Sequence, residues 1–201
     1  AIEWADKGLR VDPAHKQLAT ERVKAVKLKA ALEKKERQDA AKIRKKEKAD
    51  ELLVTNFTKR GLRFQKAIEV ELDVSRKGVA NLGASVYVDD NKLLHWPLMF
   101  LYPEHKQTDF VKDFCEGNSF EDHLGSMFPA NGSRIPWDSD RKYKIADLEV
   151  YFESQPKKTK SGHTKTDLVK VDKRLTLLEA MRDPRYTIVD FTPGFFVCVK
   201  G

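Results

Sequence analysis

The sequence predicts an α+β domain preceded by a long charged helix. Three observations lead there. From Ala14 to Leu53 the chain holds neither Gly nor Pro and consists mostly of Ala, Leu, Lys, Glu, Arg and Gln, the strong helix formers. Leu98 to Leu101 is apolar at every position and is bracketed by Pro97 and Pro103, which predicts a short strand buried on both faces. Beyond it, Leu148–Glu153 alternates apolar and polar, and further short apolar runs are interleaved with short capped helices. That order predicts a mixed or antiparallel sheet of about five strands with helices against it.

Residues 1–13 read as the second helix of a helical repeat, with Trp4, Gly8, Leu9 and Val11 on its apolar face. Half a repeat cannot bury that face alone. Asp12-Pro13 is a favourable helix start, Asp as the cap and Pro at the first helical position. The helix over 14–55 is then on the order of 60 Å long. Its seams, Val23-Val26-Ala30 and Ala40-Ile43, are too weak to sustain a coiled coil. Residues 56–91 read as a connection, with Phe57, Leu62, Phe64 and Ile68 as scattered packing and Gly78–Ser85 as a loop. Val86–Val88 and Leu93–Leu94 form a hairpin into the central strand, which opens the domain over 92–201. Pro97 has no N–H for a ladder and belongs at the strand start or a bulge, Pro103 at the strand end.

After Pro103 the spacing predicts two short helices. Thr108 caps the first, which buries Phe110, Val111, Phe114 and Cys115 and is broken by Gly117-Asn118. Ser119 caps the second, which carries Phe120, Leu124, Met127 and Phe128 into the core. Pro129–Asp140 is a loop holding Trp137. Gln155–Asp167 is a polar loop, and Leu168–Val171 is a strand. Thr176 and Glu179 have capping-box spacing, with a helix that ends at Asp183-Pro184. Tyr186–Phe191 and Phe195–Val199 read as strands joined by Thr192-Pro193-Gly194 and paired antiparallel.

The formal net charge of +7 is unevenly placed. Residues 1–60 hold 17 Lys and Arg against 10 Asp and Glu, whereas residues 61–201 hold 21 of each. Any acidic partner attracted by charge is therefore expected at the helix, not at the domain. The densest cations are Lys42, Arg44, Lys45, Lys46 and Lys48. No aromatic for base stacking occurs between residues 14 and 55, so nucleic-acid binding there is expected to be electrostatic and non-specific.

No apolar run approaches the roughly 20 residues that span a membrane, and no membrane partner is expected. Cys115 and Cys198 each sit in an apolar pattern and are expected as buried thiols. Asn131-Gly132-Ser133 matches a glycosylation sequon but is more simply a tight turn. There is no Gly-rich phosphate loop, no Gly-x-Ser-x-Gly elbow and no His-Glu-x-x-His, and no histidine has metal-ligand spacing with a cysteine. The expectation is a non-enzymatic protein with no catalytic residue, cofactor or metal. His95 is expected at the sheet surface and His123 on the helix face opposite Phe120. Candidate partner contacts are the loop aromatics Trp137 and Tyr143, expected exposed, and Tyr151 on the polar face of its strand. Lys157, Lys158 and Lys160 form a short basic motif of the nuclear-import type.

In combination, Glu3–Pro13, the charged helix, Trp96–Pro103, Leu148–Glu153 and Thr192–Val199 resemble the C-terminal part of the tetratricopeptide repeat protein 4 family, the co-chaperones of heat-shock protein 90. The likeness covers most of the chain and is weakest over 56–91 and 129–145. It implies a wheel domain, a twisted sheet ringed by helices, following a long helix that extends a tetratricopeptide repeat. It also implies partners: heat-shock proteins 90 and 70, gripped at their acidic tails by a basic clamp upstream of Ala1, and client proteins of the translation or replication machinery. Localisation in cytoplasm and nucleus follows from the same likeness. On this reading the chain is part of a longer protein and holds the acidic tail weakly or not at all. The adaptor reading stands beside one alternative, nucleic-acid or ribosome binding through the basic helix.

Overall fold

The computed structural model describes residues 1–68, 83–131, 135–158 and 164–201. Two compact units divide the chain, Ala1–Glu51 and Leu52–Gly201. The segment 56–91, read as a connection, thus has its described residues in the second unit.

In the first unit, α1 (Ile2–Val11) is followed by α2, which begins at Lys16 and runs to Arg60. A side chain at Gly8 would collide with Leu18, so glycine there permits a close approach of the two helices. Arg22 on α2 pairs with Asp6 on α1. Asp12 does not cap α2. Its carboxylate accepts from the Ala14 N–H at 3.1 Å, while His15 Nδ1 accepts from Leu18 N–H at 3.2 Å. The Asp side chain is thus spent on a turn around Pro13, and the imidazole takes the capping role. Trp4 and Val11 are 77% and 88% exposed, an apolar face without cover among the described residues.

The second unit starts inside α2. The helix ends at Arg60, five residues beyond the expected end at 55, where Gly61 (φ +68°) allows Leu62 N–H to reach Phe57 C=O and Gly61 N–H to reach Thr58 C=O. This is the Schellman termination. The sheet is mixed, with six strands: β1 (Tyr87–Val88), β2 (Leu94–Tyr102), β3 (Gln107–Cys115), β4 (Leu148–Glu153), β7 (Leu168–Val171) and β8 (Gly194–Val199). A separate ribbon pairs β5 (Lys157–Lys158) with β6 (Thr164–Lys165). The polar loop expected over 155–167 therefore contains paired strands. β3 pairs antiparallel along nearly all of β2, and β8 pairs with β2 in parallel. β4 joins β8 and β7, antiparallel to both.

Three expectations are corrected here. Residues 107–115 form a strand, not a capped helix. Pro103–Lys106 closes a tight turn with Lys106 at φ +53°, so a nine-residue partner for β2 costs only a short loop. Tyr186–Phe191 is not a strand: Asp190 and Phe191 have φ of +47° and +54°, which ends any extended run. β8 consequently pairs with β2 and β4 instead. Finally, β2 is fully buried on one face only. Leu94, Trp96, Leu98, Phe100 and Tyr102 have no exposure, whereas His95, Met99 and Leu101 are half-buried. Pro97 sits where the β2–β3 register slips between Trp96 and Leu98, and β2 ends just before Pro103.

All core layers lie on that buried face. α3 (Phe120–Met127) begins at the Ser119 cap, whose hydroxyl accepts from Asp122 N–H at 3.1 Å. Phe120 packs on Phe195 at 4.7 Å between ring centroids. α4 (Leu177–Met181) begins with the expected Thr176–Glu179 capping box. Phe57 packs at 5.4 Å from both Trp96 and Phe191. Most of the expected loop Gly78–Ser85, and Gly132-Ser133 of the sequon, lie outside the described residues. Both cysteines are free and half-buried rather than fully enclosed.

Candidate functional site

The sheet has a second face, built by strand alternation. Met99 and Leu101 of β2, Phe110 of β3, Phe196 of β8 and Tyr151 of β4 share it, as their cross-strand pairing requires. All five are half-buried, and Leu168 on β7 is 60% exposed. A depression of about 250 Å³ opens between Met99, Leu101, Phe196 and Val189. An adjoining one of about 450 Å³ is lined by Phe64, Gln155, Thr187 and Val189. Glu153 lies on the wall of both. The surface is thus apolar in its centre and polar at its rim, the composition of a protein-contact patch.

The predicted contact residues are placed very differently. Tyr151 lies on this face, as its strand phase required. Its hydroxyl donates to Glu149, which also accepts from Lys170. Donation to that carboxylate, reinforced by burial, pushes the Tyr151 hydroxyl up to about 12. Tyr143 corrects the expectation of an exposed loop aromatic: it has no exposure at all. Asp138, itself buried, accepts from the backbone N–H groups of Lys142 and Tyr143 and folds the loop inward. The Tyr143 hydroxyl donates to Glu104, and burial first, then that bond, raises its pKa. Trp137 is half-buried and packs on Tyr102 at 4.9 Å and Tyr143 at 5.1 Å. It covers the core rather than projecting from it. Sequence polarity made this loop look solvated, and no local pattern announces that Asp138 will be buried.

Lys42, Arg44, Lys45, Lys46 and Lys48 are all exposed on α2. Lys157 and Lys158 form β5, and Lys160 lies outside the described residues. His95 is held between Asp113 (Nδ1–Oδ1 2.6 Å) and Asp89 (Nε2–Oδ2 3.4 Å), with Tyr87 stacked on its ring at 4.8 Å. This closes the β1–β2 turn against β3 and leaves the imidazole no free nitrogen. His123 corrects its expected place: it stacks on Phe100 at 5.3 Å, and its Nε2 is buried without a hydrogen-bond partner among the described residues. Burial lowers its pKa, against a smaller opposing effect from Asp109. Burial, with Glu104 and Glu149 nearby, pushes the Cys198 thiol up, away from nucleophilic reactivity. Among the described residues no group of three or more His, Cys, Asp or Glu is placed to hold a metal. No described helix is long and apolar enough to cross a membrane.

Sequence reasoning missed an anchor at the start of the central strand. Arg60, at the end of α2, donates from Nε to both oxygens of Glu116 at 2.9 and 2.7 Å, and from Nη1 to Asn56 Oδ1 at 2.7 Å. Glu116 is 1% exposed and also accepts from Leu94 N–H at 2.9 Å. The pair ties α2 to the start of β2. Its two residues are far apart in sequence and each looks like an ordinary surface charge.

The Cns1/TTC4 Wheel domain family matches residues 86–201, from the start of the sheet to the last residue. Tetratricopeptide repeat protein 4 of Homo sapiens is 34% identical over 210 residues, covering 99% of this chain and 51% of that protein. The Mus musculus protein of the same name is 36% identical, covering 99% and 52%. The chain therefore spans about half the length of the curated relatives it matches. The solved Hsp90 co-chaperone Cns1 from Saccharomyces cerevisiae superposes over 100% of this chain and 61% of its own, with a TM-score of 0.73 at 17% identity, a likeness of fold. The chain belongs to the Cns1/TTC4 Wheel domain family.

Proposed function

We propose that this chain is the C-terminal, non-enzymatic part of a co-chaperone adaptor working with heat-shock proteins 90 and 70. The unit 52–201 docks a client or a chaperone, and the charged helix serves as its spacer. The observation that carries this reading is the half-open apolar sheet face around Met99, Leu101, Phe110 and Phe196. A sheet face left partly uncovered beside a polar rim suits protein docking better than catalysis. The co-chaperone named among its structural likenesses supports the same reading. Clients of the translation or replication machinery, and residence in cytoplasm and nucleus, belong to the proposal. Lys157→Ala/Lys158→Ala in the full-length protein should shift it towards the cytoplasm, and an unchanged distribution removes the import motif from the account.

The test is capture from nuclease-treated lysate by the 201-residue chain at low and moderate salt, read by mass spectrometry. A parallel bait carries Phe110→Ser/Phe196→Ser. Heat-shock protein or a discrete client should be retained at both salts and weakened at least roughly tenfold by the variant, the effect of losing about 1.4 kcal/mol at a contact centre. The variant's thermal unfolding is measured alongside to show that the fold persists. Equal capture by both baits removes the sheet face from the account. Capture that vanishes with nuclease or moderate salt removes the adaptor reading.

A further inference from the structure

The charges of α2 are sorted by face. With 3.6 residues per turn, all seven carboxylates between Lys16 and Glu51 fall within an arc of about 120°. Eleven of the thirteen cations fall on the opposite side, within an arc of about 200° that contains no Asp or Glu. Acids placed one turn from bases pair with them and stabilise an exposed helix. Among the described residues such pairs are seen at Glu21–Lys24, Lys29–Glu33 and Asp39–Lys42.

The basic arc is densest between Lys34 and Lys48, where it presents eight exposed cations over about 21 Å of helix. Among the described residues only Lys42 of these eight has a carboxylate partner, Asp39 at 3.8 Å. Between Lys29 and Glu51 the arc carries no apolar residue larger than Ala. A protein interface needs apolar or aromatic anchors, and an interfacial membrane helix needs an apolar face. Neither is present on this arc. Stacking on single-stranded bases needs aromatics, which are also missing. Phosphate ridges need only cations.

The width of the arc selects among anions. A single acidic peptide lying on one line of the helix would meet one row of cations and leave the flanks unpaired. Two phosphate ridges flanking a helix meet all three sides. The major groove of B-form DNA is about 12 Å wide and admits a helix about 10–12 Å across, whereas that of duplex RNA is too narrow for side chains to read. We infer that the basic face of α2 between Lys34 and Lys48 binds the phosphates that flank the major groove of double-stranded DNA, without sequence preference. The acidic face then points away from the duplex. This inference is independent of the sheet-face docking above.

The test is fluorescence anisotropy of the purified 201-residue chain with a 20-base-pair DNA duplex, the RNA duplex of the same sequence, and poly-glutamate as competitor. With about six phosphate contacts, affinity should fall on the order of a thousand-fold between about 50 and 200 mM salt. Lys34→Ala/Arg37→Ala/Lys45→Ala/Lys48→Ala keeps strong helix formers. It should weaken DNA binding by at least about tenfold and flatten the salt dependence by about one contact per residue removed. Glu36→Gln/Glu47→Gln raises the net charge on the opposite face and should change affinity less than about twofold. Circular dichroism of each variant shows that the helix is kept. The inference is overturned by any of four results: no DNA binding at low salt, equal binding by the quadruple variant, equal affinity for the RNA duplex, or tightening by the glutamine pair to match the cation losses.

Discussion

The two stretches of α2 obey different rules. From Lys16 to Glu51 nearly every side chain is exposed, and the helix rests on backbone propensity. From Leu52 to Arg60 the same kind of sequence places Phe57 at 0% exposure and locks Arg60 onto buried Glu116. Helix formation is common to both, yet only the second stretch takes part in building the sheet domain. A strong helix former states what the backbone does. Which of its residues carry tertiary weight is decided by what they meet.

This contrast can be broken from either side. The largest effect is expected at Glu116. Glu116→Ala leaves the largely enclosed Arg60 guanidinium without its carboxylate and should cost about 3–5 kcal/mol in urea unfolding, while Arg60→Met/Glu116→Leu should regain most of it. A cost of only about 1 kcal/mol for the single change would mean the pair anchors nothing. Phe57→Ala should cost about 3–5 kcal/mol through the cavity it leaves. Leu32→Ala, on the exposed stretch of the same helix, should stay within about 0.5 kcal/mol. Comparable costs for these two would erase the distinction. Thr176→Ala removes one half of a capping box and should cost about 1 kcal/mol.

The smallest effect is a pH dependence within the core. Burial disfavours the charged form of His123 and lowers its pKa, with the Phe100 and Phe114 rings and the Asp109 carboxylate facing it. Below about 6.5 the unfolded chain takes up a proton that the folded one resists. This contribution to stability is therefore complete above about 6.5 and is lost as pH falls towards the lowered folded value. Thermal midpoints at pH 7.5 and 5.5 should fall further apart in the parent than in His123→Phe. Equal differences would show that the ring is solvated.

Much of this architecture was legible. The alternation of Leu148–Glu153, the Ser119 and Thr176 caps and the prolines around β2 act over a few residues, and each was realised. The failures share a cause. Gln107–Cys115 departs from the helical expectation because Phe110, Val111 and Phe114 suit one helix face as well as one strand, and β2, across a four-residue turn, decides for the strand. Tyr186–Phe191 has strand composition, but its neighbours took β8 for the sheet and left it to cover the core. Of the candidate contacts, Tyr151 followed from strand phase, whereas Tyr143 depended on Asp138 turning the loop inward.

By itself the sequence determined the helix over the charged stretch, its positive charge and the sorting of that charge by face. It also determined the strand phases that divide each β-segment into a buried and an open side. These are local or periodic properties, and they depend only on residue order. The tertiary structure alone decided the parallel β2–β8 pairing, the burial of Tyr143 and His123, and the Arg60–Glu116 pair. Those depend on which distant residues share a dry environment, where a charge or hydroxyl must find a specific partner or pay for its desolvation.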